Sequence, residues 1–433
     1  MSLPDLIEII PLTQPVRAEI TVPGSKSITN RALILAALAH SEVTLRGALW
    51  SEDTQIMVDC LQRLGFEVHV ADDPAEICNR TITICGLGGK IPKAGAAAPL
   101  ELFVGNAGTA ARFLAAFLCL WQGTYRLSGV PRMHERPQAA LFKALRELGY
   151  HIESEAGIDK LPARIYGTGP RPGKCQVSIA SSSQFASALL LSAGFGRWQV
   201  TIVGENADES PYVAMTAKLI ESFPNQGGTF QIEPDASSGS YFWGAGDLLG
   251  NKEASSITVS DWPTSGWQVD TEFVRALPLP PVIARGGPLD SGVIKLGDSI
   301  MTAIVLAPFS SRPILFTDLG RLRVQECERV VALQTELTKC GAKVIEAGDT
   351  LTVHPSTLHG AEIETYHDHR MAMCFAILGL KVSGIKIKNP ACVKKTFPNF
   401  FQKLVAQPPH GLGATILDAQ TGAKLAHNDL FAD

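Results

Sequence analysis

Lysine, arginine and acidic side chains recur in this sequence beside short runs of small polar residues. Lys26 and Arg31 lie in one such run, PGSKSITNR (residues 23–31), and Glu326 precedes Arg329 by three positions. The first amides of a helix favour an anion, and a basic side chain at that point adds a full positive charge. These patterns predict a site for an anionic small molecule, with a carboxylate in reach for proton transfer.

Further segments place charged or hydroxyl side chains beside predicted helix starts. They are GNAGTAAR (residues 105–112), RMHERP (132–137), SSSQ (181–184), Asp298, HDHR (367–370) and Lys395. Glycine lets a ligand approach the backbone, and arginine can bind a carboxylate or phosphate through two parallel hydrogen bonds. Each segment taken alone is also compatible with an ordinary capped helix or a strand–helix turn, but their combination favours a binding site.

Several other kinds of site are disfavoured. PGSKS superficially resembles a P-loop, but Glu19 stands where the first glycine of that motif belongs. His367 and His369 lie two apart without a distant third ligand, which is weak support for a metal. No G-x-S-x-G elbow indicates a serine nucleophile, and no predicted strand leads into a G-x-G-x-x-G turn.

The composition is that of a globular protein of 433 residues, of which 45% are hydrophobic and 18% are charged. A formal net charge of −4 provides no global basic field for nucleic acid. The nine cysteines include no C-x-x-C pair, and Cys119 and Cys374 are expected to be reduced core residues. The acidic N-terminus is a poor secretory signal and no apolar run is long enough to cross a bilayer, so we expect a cytoplasmic protein, although a plastid protein without its transit peptide would look the same.

The segments that would position the chemistry-bearing residues repeat along the chain. Helices rich in alanine and leucine are predicted directly after loops of small polar residues, where Ser, Thr, Asn or Asp can cap them. The six predicted helices span residues 27–39, 109–120, 183–193, 238–249, 299–307 and 369–380.

A second, amphipathic helix follows each of these and often ends in glycine before an alternating strand. The clearest copies are residues 61–68, 145–152 and 337–344, and weaker copies span 212–223, 268–277 and 397–405. The glycine fits a left-handed helix cap, and the strand alternates with a period of two. Six such units predict an α/β protein of two domains with three units each, and the alternative is one doubly wound sheet.

Eight stretches of the chain resemble the EPSP synthase family of enolpyruvyl transferases, in the family's order. They are PGSKSITNRALILAALA, GNAGTAARFL, PRMHERP, SSSQFASALL, DASSGSYF, RVQECER, YHDHRMAMCFA and KKTFP, and they span residues 23–398. The related transferase that acts on UDP-N-acetylglucosamine is less similar, because its cysteine-bearing loop is not found in this sequence.

The resemblance implies an inside-out α/β fold in which each of two similar domains has three βαβαββ units. Residues 23–233 would form one domain and residues 1–22 with 234–433 the other, with the active site in the cleft between them. The reaction implied is transfer of the enolpyruvyl group of phosphoenolpyruvate to the 5-hydroxyl of shikimate 3-phosphate, with release of phosphate, in aromatic amino acid biosynthesis. The resemblance also implies no metal or organic cofactor, no nucleic-acid or membrane partner, and a monomer.

The same resemblance assigns roles to the residues that match the family's motifs. Those that would hold phosphoenolpyruvate are Lys26, Gly108, Arg132, Gln184, Arg329, Arg370 and Lys395. Those that would bind the acceptor are Ser27, Arg31, Ser182, Ser183, Gln184, Tyr212, Asp298 and Gln325. Asp298 would accept the hydroxyl proton, and Glu326 with Lys26 would handle the proton at C3. Gly108 matches the position where the inhibitor glyphosate crowds the backbone, so alanine there is expected to reduce inhibition.

The acceptor side departs from the family pattern. Gln325 replaces a lysine that reaches the acceptor's phosphate and hydroxyl, and Arg321 replaces an asparagine. Glu209 stands where a phosphate-binding serine is expected, unless Ser210 serves in its place. Losing a charge-assisted hydrogen bond weakens binding by roughly 1.5–3 kcal/mol, or about one to two decades in affinity. Two hypotheses remain: a divergent EPSP synthase with a rearranged phosphate site, or a paralogous transferase or eliminase acting on another shikimate-like ring.

Two other features lie outside the matched pattern. Phe113 stands where the family often has proline, behind the GNAGTA turn, so the sequence leaves the response to glyphosate open. Residues 410–433 extend beyond the last matched motif, and their spaced glycines and alanines predict a short β-hairpin or a tail without chemistry.

Overall fold

The computed structural model describes residues 3–88, 98–204, 210–250, 256–286 and 293–432. Contacts between Cα atoms divide the chain into two compact units. One, which we call the continuous unit, is Gly24–Glu233; the other, the split unit, combines Met1–Pro23 with Pro234–Asp433. The first strands of the chain therefore belong with its C-terminal half.

The strands and helices alternate along most of the described chain. The strands are β1 (Leu6–Ile10), β2 (Arg17–Ile20), β3 (Glu42–Leu49), β4 (Val68–Asp72), β5 (Asn79–Cys85), β6 (Leu100–Phe103), β7 (Gln122–Ser128), β8 (His151–Ser154), β9 (Ala163–Thr168), β10 (Gly173–Ser178), β11 (Trp198–Val203), β12 (Gly228–Gln231), β13 (Ser256–Val259), β14 (Val282–Arg285), β15 (Ile294–Leu296), β16 (Ile314–Thr317), β17 (Val344–Ala347), β18 (Thr350–Val353), β19 (Glu362–Ile363), β20 (Ile385–Lys388) and β21 (Thr415–Asp418). The α-helices are α1 (Lys26–Leu38), α2 (Glu52–Arg63), α3 (Gly108–Cys119), α4 (Pro131–Glu135), α5 (Ala139–Glu147), α6 (Ser183–Gly196), α7 (Ser210–Ser222), α8 (Ala236–Leu249), α9 (Ile300–Leu306), α10 (Arg329–Lys339), α11 (His369–Gly379) and α12 (Phe400–Val405).

One sheet of the continuous unit shows the repeated βαβαββ pattern directly. Its order is β6–β7–β9–β8, in which β6 and β7 are parallel and the other pairs antiparallel. Helix α3 joins β6 to β7, and α5 joins β7 to β8. A second sheet, β12–β3–β5–β4, has the same form, but its first strand comes from the far end of the unit. The third sheet pairs only β10 and β11.

The split unit repeats this arrangement with larger differences. Its sheets have the orders β15–β14–β16–β18–β17, β19–β20–β1–β21 and β13–β2. Strand β1 pairs with β20 and β21, which come from the end of the chain, and β2 pairs with β13. The predicted α/β fold class, with related units repeated in two halves, is confirmed.

Helices that are apolar on every side form the centre of each unit. All residues of α3 are buried, as are all residues of α9 and α11. In the continuous unit α3 packs against α1 and α6, and in the split unit α11 packs against α8 and α9. A helix without a polar face must be covered on all sides, so the sheets lie outside these helices. Polar side chains of these helices are consequently concentrated near their N-terminal ends.

The six predicted central helices are confirmed to within a few residues. The amphipathic copies are α2, α5, α7, α10 and α12, but residues 268–277 form a 3₁₀ helix (Val269–Ala276) instead of an α-helix. The glycines that follow the three clearest copies adopt the predicted positive φ, of 93° at Gly65, 86° at Gly149 and 92° at Gly341. These residues therefore end their helices in the left-handed conformation that glycine tolerates best.

The predicted capping of the central helices is right at only two of them. Ser182 accepts a hydrogen bond from the Gln184 amide at α6, and Asp368 accepts one from the Arg370 amide at α11. At α1, α3, α8 and α9, within the described segments, the side chain of the N-cap residue accepts no capping hydrogen bond. The hydroxyl at the start of α9 instead donates to a carboxylate from another element, because Ser299 is bonded to Asp270.

The remaining expectations about the chain concern its end and its cysteines. Residues 415–418 pair with β1, and Leu417 forms an antiparallel bridge with Lys424, so the predicted hairpin is confirmed.

Cys119 and Cys374 are buried free thiols, and burial raises the pKa of Cys374 to about 12. Among the residues described, no helix combines the length and apolarity needed to span a membrane.

We predict opposite effects of alanine at two glycines of the continuous unit. Gly149→Ala should destabilise the protein by about 1 kcal/mol, because an L-residue is strained at its φ of 86°. Gly194→Ala should stabilise it by about 0.5 kcal/mol, because Gly194 is exposed in α6 and a Cβ there meets nothing within 4 Å. Urea unfolding of both variants measures the difference, and equal effects of one sign would contradict the assigned backbone conformations.

Candidate active site

The split unit gathers charged side chains from four elements. Arg285 ends β14, Asp298 lies two residues before α9, Arg329 begins α10 and Arg370 lies in the first turn of α11. Lys395 ends a 3₁₀ helix (Pro390–Lys395). The contacts described below join all of these side chains into one network, which we call the split-unit cluster. It contains all six predicted site residues of this unit, namely Asp298, Gln325, Glu326, Arg329, Arg370 and Lys395.

Arg329 lies at the centre of the split-unit cluster and is only 1% exposed. Its Nε and Nη2 donate to the two oxygens of Asp368, at 2.6 and 3.2 Å. Its Nη2 also lies 2.9 Å from Glu326 Oε2, and its Nη1 donates to Gln325 Oε1. Burial alone would lower the pKa of this guanidinium, but Asp368, Glu326 and Asp298 outweigh burial and raise it. Arg329 is therefore a fixed cation with its planar fork already oriented.

Asp298 contacts three arginines. Its Oδ2 lies 3.1 Å from Arg370 Nη2, and its Oδ1 lies 3.3 Å from Arg285 Nη2 and 3.7 Å from Arg329 Nη1. Burial would raise the pKa of this carboxyl, but the charges of Arg370, Arg329 and Arg285 together hold it well below its usual range. Asp298 is therefore an anion in the free protein, and its oxygens are occupied by guanidinium groups.

Glu326 bridges two cations. Its Oε2 contacts Arg329 and its Oε1 lies 3.3 Å from Lys395 Nζ, and the side chains of Glu326 and Lys395 are mostly buried. A carboxylate between a lysine and an arginine can exchange a proton with a bound ligand while its negative charge stays compensated. This arrangement is suited to acid–base chemistry next to an anion-binding group.

Two residues of α8 accept hydrogen bonds from the side chain of Arg370. Its Nη1 donates to the Tyr241 hydroxyl at 3.3 Å, and its Nη2 donates to the Ser237 hydroxyl at 3.0 Å. Burial would lower the pKa of this guanidinium, but the surrounding acids, with Asp298 foremost, raise it well above its usual value. Both Ser237 and Tyr241 belong to the DASSGSYF stretch, none of whose residues was predicted as a site residue.

In the continuous unit, two glycines in close contact place Lys26 at the start of α1. A Cβ on Gly24 would lie 1.9 Å from the Gly47 carbonyl oxygen, which only glycine at this position avoids. The Gly24 amide donates to Asn79 Oδ1 at 2.8 Å, and Gly47 has a φ of 67° at an irregularity in β3. Lys26 Nζ then lies 3.2 Å from Asp53 Oδ2, a buried carboxylate in the first turn of α2.

Arg31 lies among three helices and is buried. Its Nε donates to Thr216 Oγ1 at 2.7 Å and its Nη2 to Ser187 Oγ at 3.0 Å, which links α1 to α7 and α6. Its Nη1 donates to the Ser27 carbonyl at 2.8 Å, and its guanidinium stacks 5.2 Å from the Phe113 ring centroid. Phe113, the residue that departs from the family's proline, therefore packs against a predicted acceptor-binding residue.

Two guanidinium groups approach Gly108 at the start of α3. A Cβ on Gly108 would lie 2.7 Å from Arg112 Nη1 and 2.8 Å from Arg136 Nη2. The N-terminal parts of α1 and α3 are also neighbours, because Asn30 Nδ2 donates to Thr109 Oγ1 at 3.0 Å. The PGSK and GNAGTA segments are therefore held side by side, as a shared site requires.

The other predicted residues of the continuous unit lie at α4, α6 and α7. Ser182 and Ser183 are buried at the start of α6, with Gln184 half-buried beside them. Tyr212 is half-buried in α7, and its carbonyl accepts from the Thr216 hydroxyl that also binds Arg31. The side chain of Arg132 is 41% exposed and forms an ion pair with Glu135 at 2.7 Å.

Comparisons with known proteins show the family of this chain. The family model "EPSP synthase (3-phosphoshikimate 1-carboxyvinyltransferase)" matches residues 11–226 and 286–404, more than half of the chain. The chain belongs to the EPSP synthase family. The resemblance found in the sequence motifs is confirmed.

A relative from Opitutus terrae, named 3-phosphoshikimate 1-carboxyvinyltransferase, is 40% identical over 93% of this chain and 98% of its own length. A relative from a Nostoc species is 38% identical over 92% of this chain and 98% of its own length. Both are EPSP synthase family members that match along nearly their whole length.

Solved structures with this fold include an EPSP synthase from Acinetobacter baumannii, with a TM-score of 0.68 and 22% identity over 91% of this chain and 96% of that one. The enolpyruvyl transferase NikO from Streptomyces tendae also matches, with a TM-score of 0.66 and 16% identity over 98% of this chain and 100% of that one. At these identities the likeness establishes the fold alone.

Some residues of this EPSP synthase family member were not predicted as site residues. Asp53, Arg285 and Asp368 contact Lys26, Asp298 and Arg329 respectively. Only Asp368 was indicated in the sequence, because it stands inside HDHR; the other two lie in a helix start and a strand end of ordinary composition. Of the departures from the family pattern, Gln325 binds Arg329, Arg321 is half-buried, and Glu209 lies outside the described residues.

We predict that Asp298→Asn destabilises the protein at neutral pH by roughly 3 kcal/mol, the lower end of the range for breaking a buried ion pair. Arg329 keeps Asp368 as a partner, which limits the loss. Because the folded pKa of Asp298 lies below its unfolded value of about 3.9, this contribution is present above about pH 4 and is lost as the pH falls toward the folded value. The difference in unfolding free energy between wild type and variant should therefore shrink below about pH 4.

The matched control is Asp59→Asn, which removes an exposed carboxylate paired with Arg63 at 2.7 Å. Its effect should stay below about 1 kcal/mol at every pH, as for other exposed ion pairs. A wild-type advantage over Asp298→Asn that already fades near neutral pH would contradict the arginine environment described for Asp298.

Proposed function

We propose that this protein transfers the enolpyruvyl group of phosphoenolpyruvate to the 5-hydroxyl of shikimate 3-phosphate and releases phosphate. The observation that carries the proposal is the split-unit cluster, in which contacts connect Lys395 through Glu326 and Arg329 to Asp298 and Arg370. Membership of the EPSP synthase family and near full-length relatives with this enzyme name support the same reaction.

The proposed chemistry is an addition followed by an elimination. The acceptor's hydroxyl oxygen forms a bond to C2 of phosphoenolpyruvate while C3 takes a proton, which gives a tetrahedral intermediate. The C2–O bond to phosphate then breaks, C3 loses a proton and the double bond returns. The hydroxyl proton leaves with the phosphate product, so the reaction is balanced without a redox step.

The donor phosphoenolpyruvate carries a phosphate and a carboxylate and therefore needs several cations. We assign its binding to the basic side chains Arg329, Arg370 and Lys395 of the split unit and Lys26 and Arg132 of the continuous unit, with Gln184 and the Gly108 backbone. Arg329 and Arg370 are already oriented by Asp368, Ser237 and Tyr241 in the free protein. Pre-oriented guanidinium groups bind such anions with little further loss of entropy.

Proton transfer is assigned to three side chains. Asp298 accepts the hydroxyl proton, and Glu326 with Lys26 delivers and removes the proton at C3. Glu326 lies between Arg329 and Lys395, two members of the proposed donor-binding set, and is therefore placed near the donor. The reaction uses no metal and no organic cofactor, and we expect the enzyme to act as a monomer in the cytoplasm.

Acceptor binding is assigned to the hydroxyl-rich helix starts of the continuous unit together with residues of the split unit. The residues are Ser27, Arg31, Ser182, Ser183, Gln184, Tyr212, Asp298 and Gln325. Buried Ser182 and Ser183 at the start of α6 can donate hydrogen bonds to a phosphate. Arg31 is fixed beside Ser27 by Thr216 and Ser187, which suits it to orient a carboxylate at the start of α1.

One specific observation favours a second candidate, a transferase acting on a related ring without that phosphate. Gln325, where the family usually has lysine, accepts a hydrogen bond from Arg329 and so adds no positive charge for an acceptor phosphate. The likeness of fold to NikO shows that another enolpyruvyl transferase has this architecture. Choice of acceptor therefore decides between the two candidates.

The first test mixes purified protein with phosphoenolpyruvate and shikimate 3-phosphate and follows phosphate release, with unphosphorylated shikimate as a parallel acceptor. We expect release with shikimate 3-phosphate that falls by about 10²–10⁴-fold in Lys26→Met and in Glu326→Gln, the range for loss of a general acid or base. Binding of phosphoenolpyruvate without release from shikimate 3-phosphate, together with release from shikimate, would establish the second candidate instead.

A second prediction concerns glyphosate. Gly108→Ala places a Cβ within 2.8 Å of the Arg112 and Arg136 guanidinium groups, so these groups must shift. We expect weaker inhibition by glyphosate, by at least about tenfold, with a smaller rise in KM for phosphoenolpyruvate; tenfold corresponds to about 1.4 kcal/mol. The control Gly194→Ala should leave both constants unchanged, and an unaltered inhibition constant in Gly108→Ala would contradict the assignment.

A further inference from the structure

Arg285 is a buried cation that no motif of the sequence accounts for. It ends β14 and is 1% exposed, and its Nη2 donates to Asp298 Oδ1 at 3.3 Å. Its neighbours in the strand, Ile283 and Ala284, are ordinary buried core residues. A buried guanidinium is costly unless its charge is compensated, so its placement against Asp298 calls for a reason.

The two oxygens of Asp298 have different partners. Oδ1 contacts Arg285 and, at 3.7 Å, Arg329, whereas Oδ2 contacts Arg370 at 3.1 Å. Arg329 and Arg370 belong to the proposed donor-binding set, and Arg285 does not. An anionic donor therefore competes with Asp298 for two of its three arginines and leaves the third in place.

We propose that Arg285 is a positioning residue that keeps Oδ1 of Asp298 in place when the donor engages Arg370, so that Oδ2 becomes free to accept the acceptor's hydroxyl proton. This inference rests on the proposed function. The proton moves from the hydroxyl to Oδ2 as the hydroxyl oxygen bonds to C2 of the donor, and it later departs with phosphate.

The charges around Asp298 explain why the base would become active only after the donor has bound. Arg285 from β14, Arg329 from α10 and Arg370 from α11 face it as cations, and Glu326 and Asp270 are the acids nearby. In the free protein the three arginines keep the pKa of Asp298 well below its usual range, against the effect of burial, which makes it a weak base. The negative charges of the donor cancel part of this effect, whereas Arg285 keeps the carboxylate oriented and prevents its premature protonation.

The test measures the pH dependence of kcat at saturating phosphoenolpyruvate and acceptor for wild type, Arg285→Gln and Arg285→Lys. Removing the positive charge of Arg285 raises the pKa of Asp298. The acidic limb of the profile of kcat against pH should therefore move to higher pH by on the order of one unit, the lower end of the effect of an arginine beside an aspartate. Arg285→Lys keeps the charge and should move the limb less. KM for phosphoenolpyruvate should change by less than about threefold in Arg285→Gln, because Arg285 does not bind the donor.

Arg323→Gln is the matched control in the same unit. Arg323 joins Glu328, Glu346 and Asp349 and has no contact with Asp298, so its loss should leave the acidic limb where it is. An acidic limb that stays at the wild-type position in Arg285→Gln, whatever happens to kcat, would overturn the proposal. A purely structural role for Arg285 would lower the amount of active enzyme without moving the limb.

A stability measurement separates this inference from the proposed reaction. In a double-mutant cycle, Arg285→Gln should cost less in the Asp298→Asn background than in wild type, because the carboxylate that Arg285 serves is then already gone. Independent, additive effects would overturn the proposal even for a protein inactive with shikimate 3-phosphate. If Arg285→Gln alone does not fold, folding of the double variant supports the pairing, and failure of both to fold refutes it.

Discussion

The ion pair between Arg329 and Asp368 is the interaction on which the split-unit cluster depends. Both side chains are buried, at 1% and 0% exposure, and two hydrogen bonds join them. A guanidinium without its partner at such a position would cost several kcal/mol, so neither residue can be changed alone. The same carboxylate also accepts the Arg370 amide at 2.9 Å and so sets where α11 begins. One aspartate thus orients two arginines, one through its side chain and one through the backbone.

The backbone before Asp368 is adapted to this task. Tyr366 and His367 each have a φ of 54°, a left-handed conformation that costs about 1 kcal/mol or more for a residue other than glycine. Tyr366 is held by its hydroxyl, which donates to Glu336 at 2.7 Å, and His367 by Asn389 Nδ2 at 2.8 Å. Because these contacts maintain the turn, the carboxylate of Asp368 reaches both α10 and α11. Strain next to the cluster is therefore compensated by contacts outside it.

The sequence was sufficient for features that are local. The apolar central helices, the glycines at positive φ and the motif residues of the split-unit cluster all follow from periodicity or from stretches that resemble the family. Arg285 was not predictable, because a strand that ends in VIAR looks ordinary and its partner Asp298 lies in another element. Capping at α9 was predicted wrongly for a similar reason, since Ser299 donates to Asp270 from a distant 3₁₀ helix. Hydroxyl and carboxylate groups have several possible partners, and only the tertiary fold selects one.

The replacement of lysine by Gln325 has a consequence on the donor side as well as the acceptor side. A lysine at 325 would add a second cation next to buried Arg329, whereas the carboxamide oxygen of Gln325 accepts from Arg329 Nη1. The glutamine thus adds a hydrogen bond to Arg329, a proposed donor-binding residue, but supplies no positive charge to the proposed acceptor site. Arg321 lies in the 3₁₀ helix (Leu319–Val324) that precedes Gln325, and its side chain is half-buried. The residue at position 325 therefore bears on both substrates, because it changes the partners of a proposed donor-binding arginine as well as the charge near the proposed acceptor site.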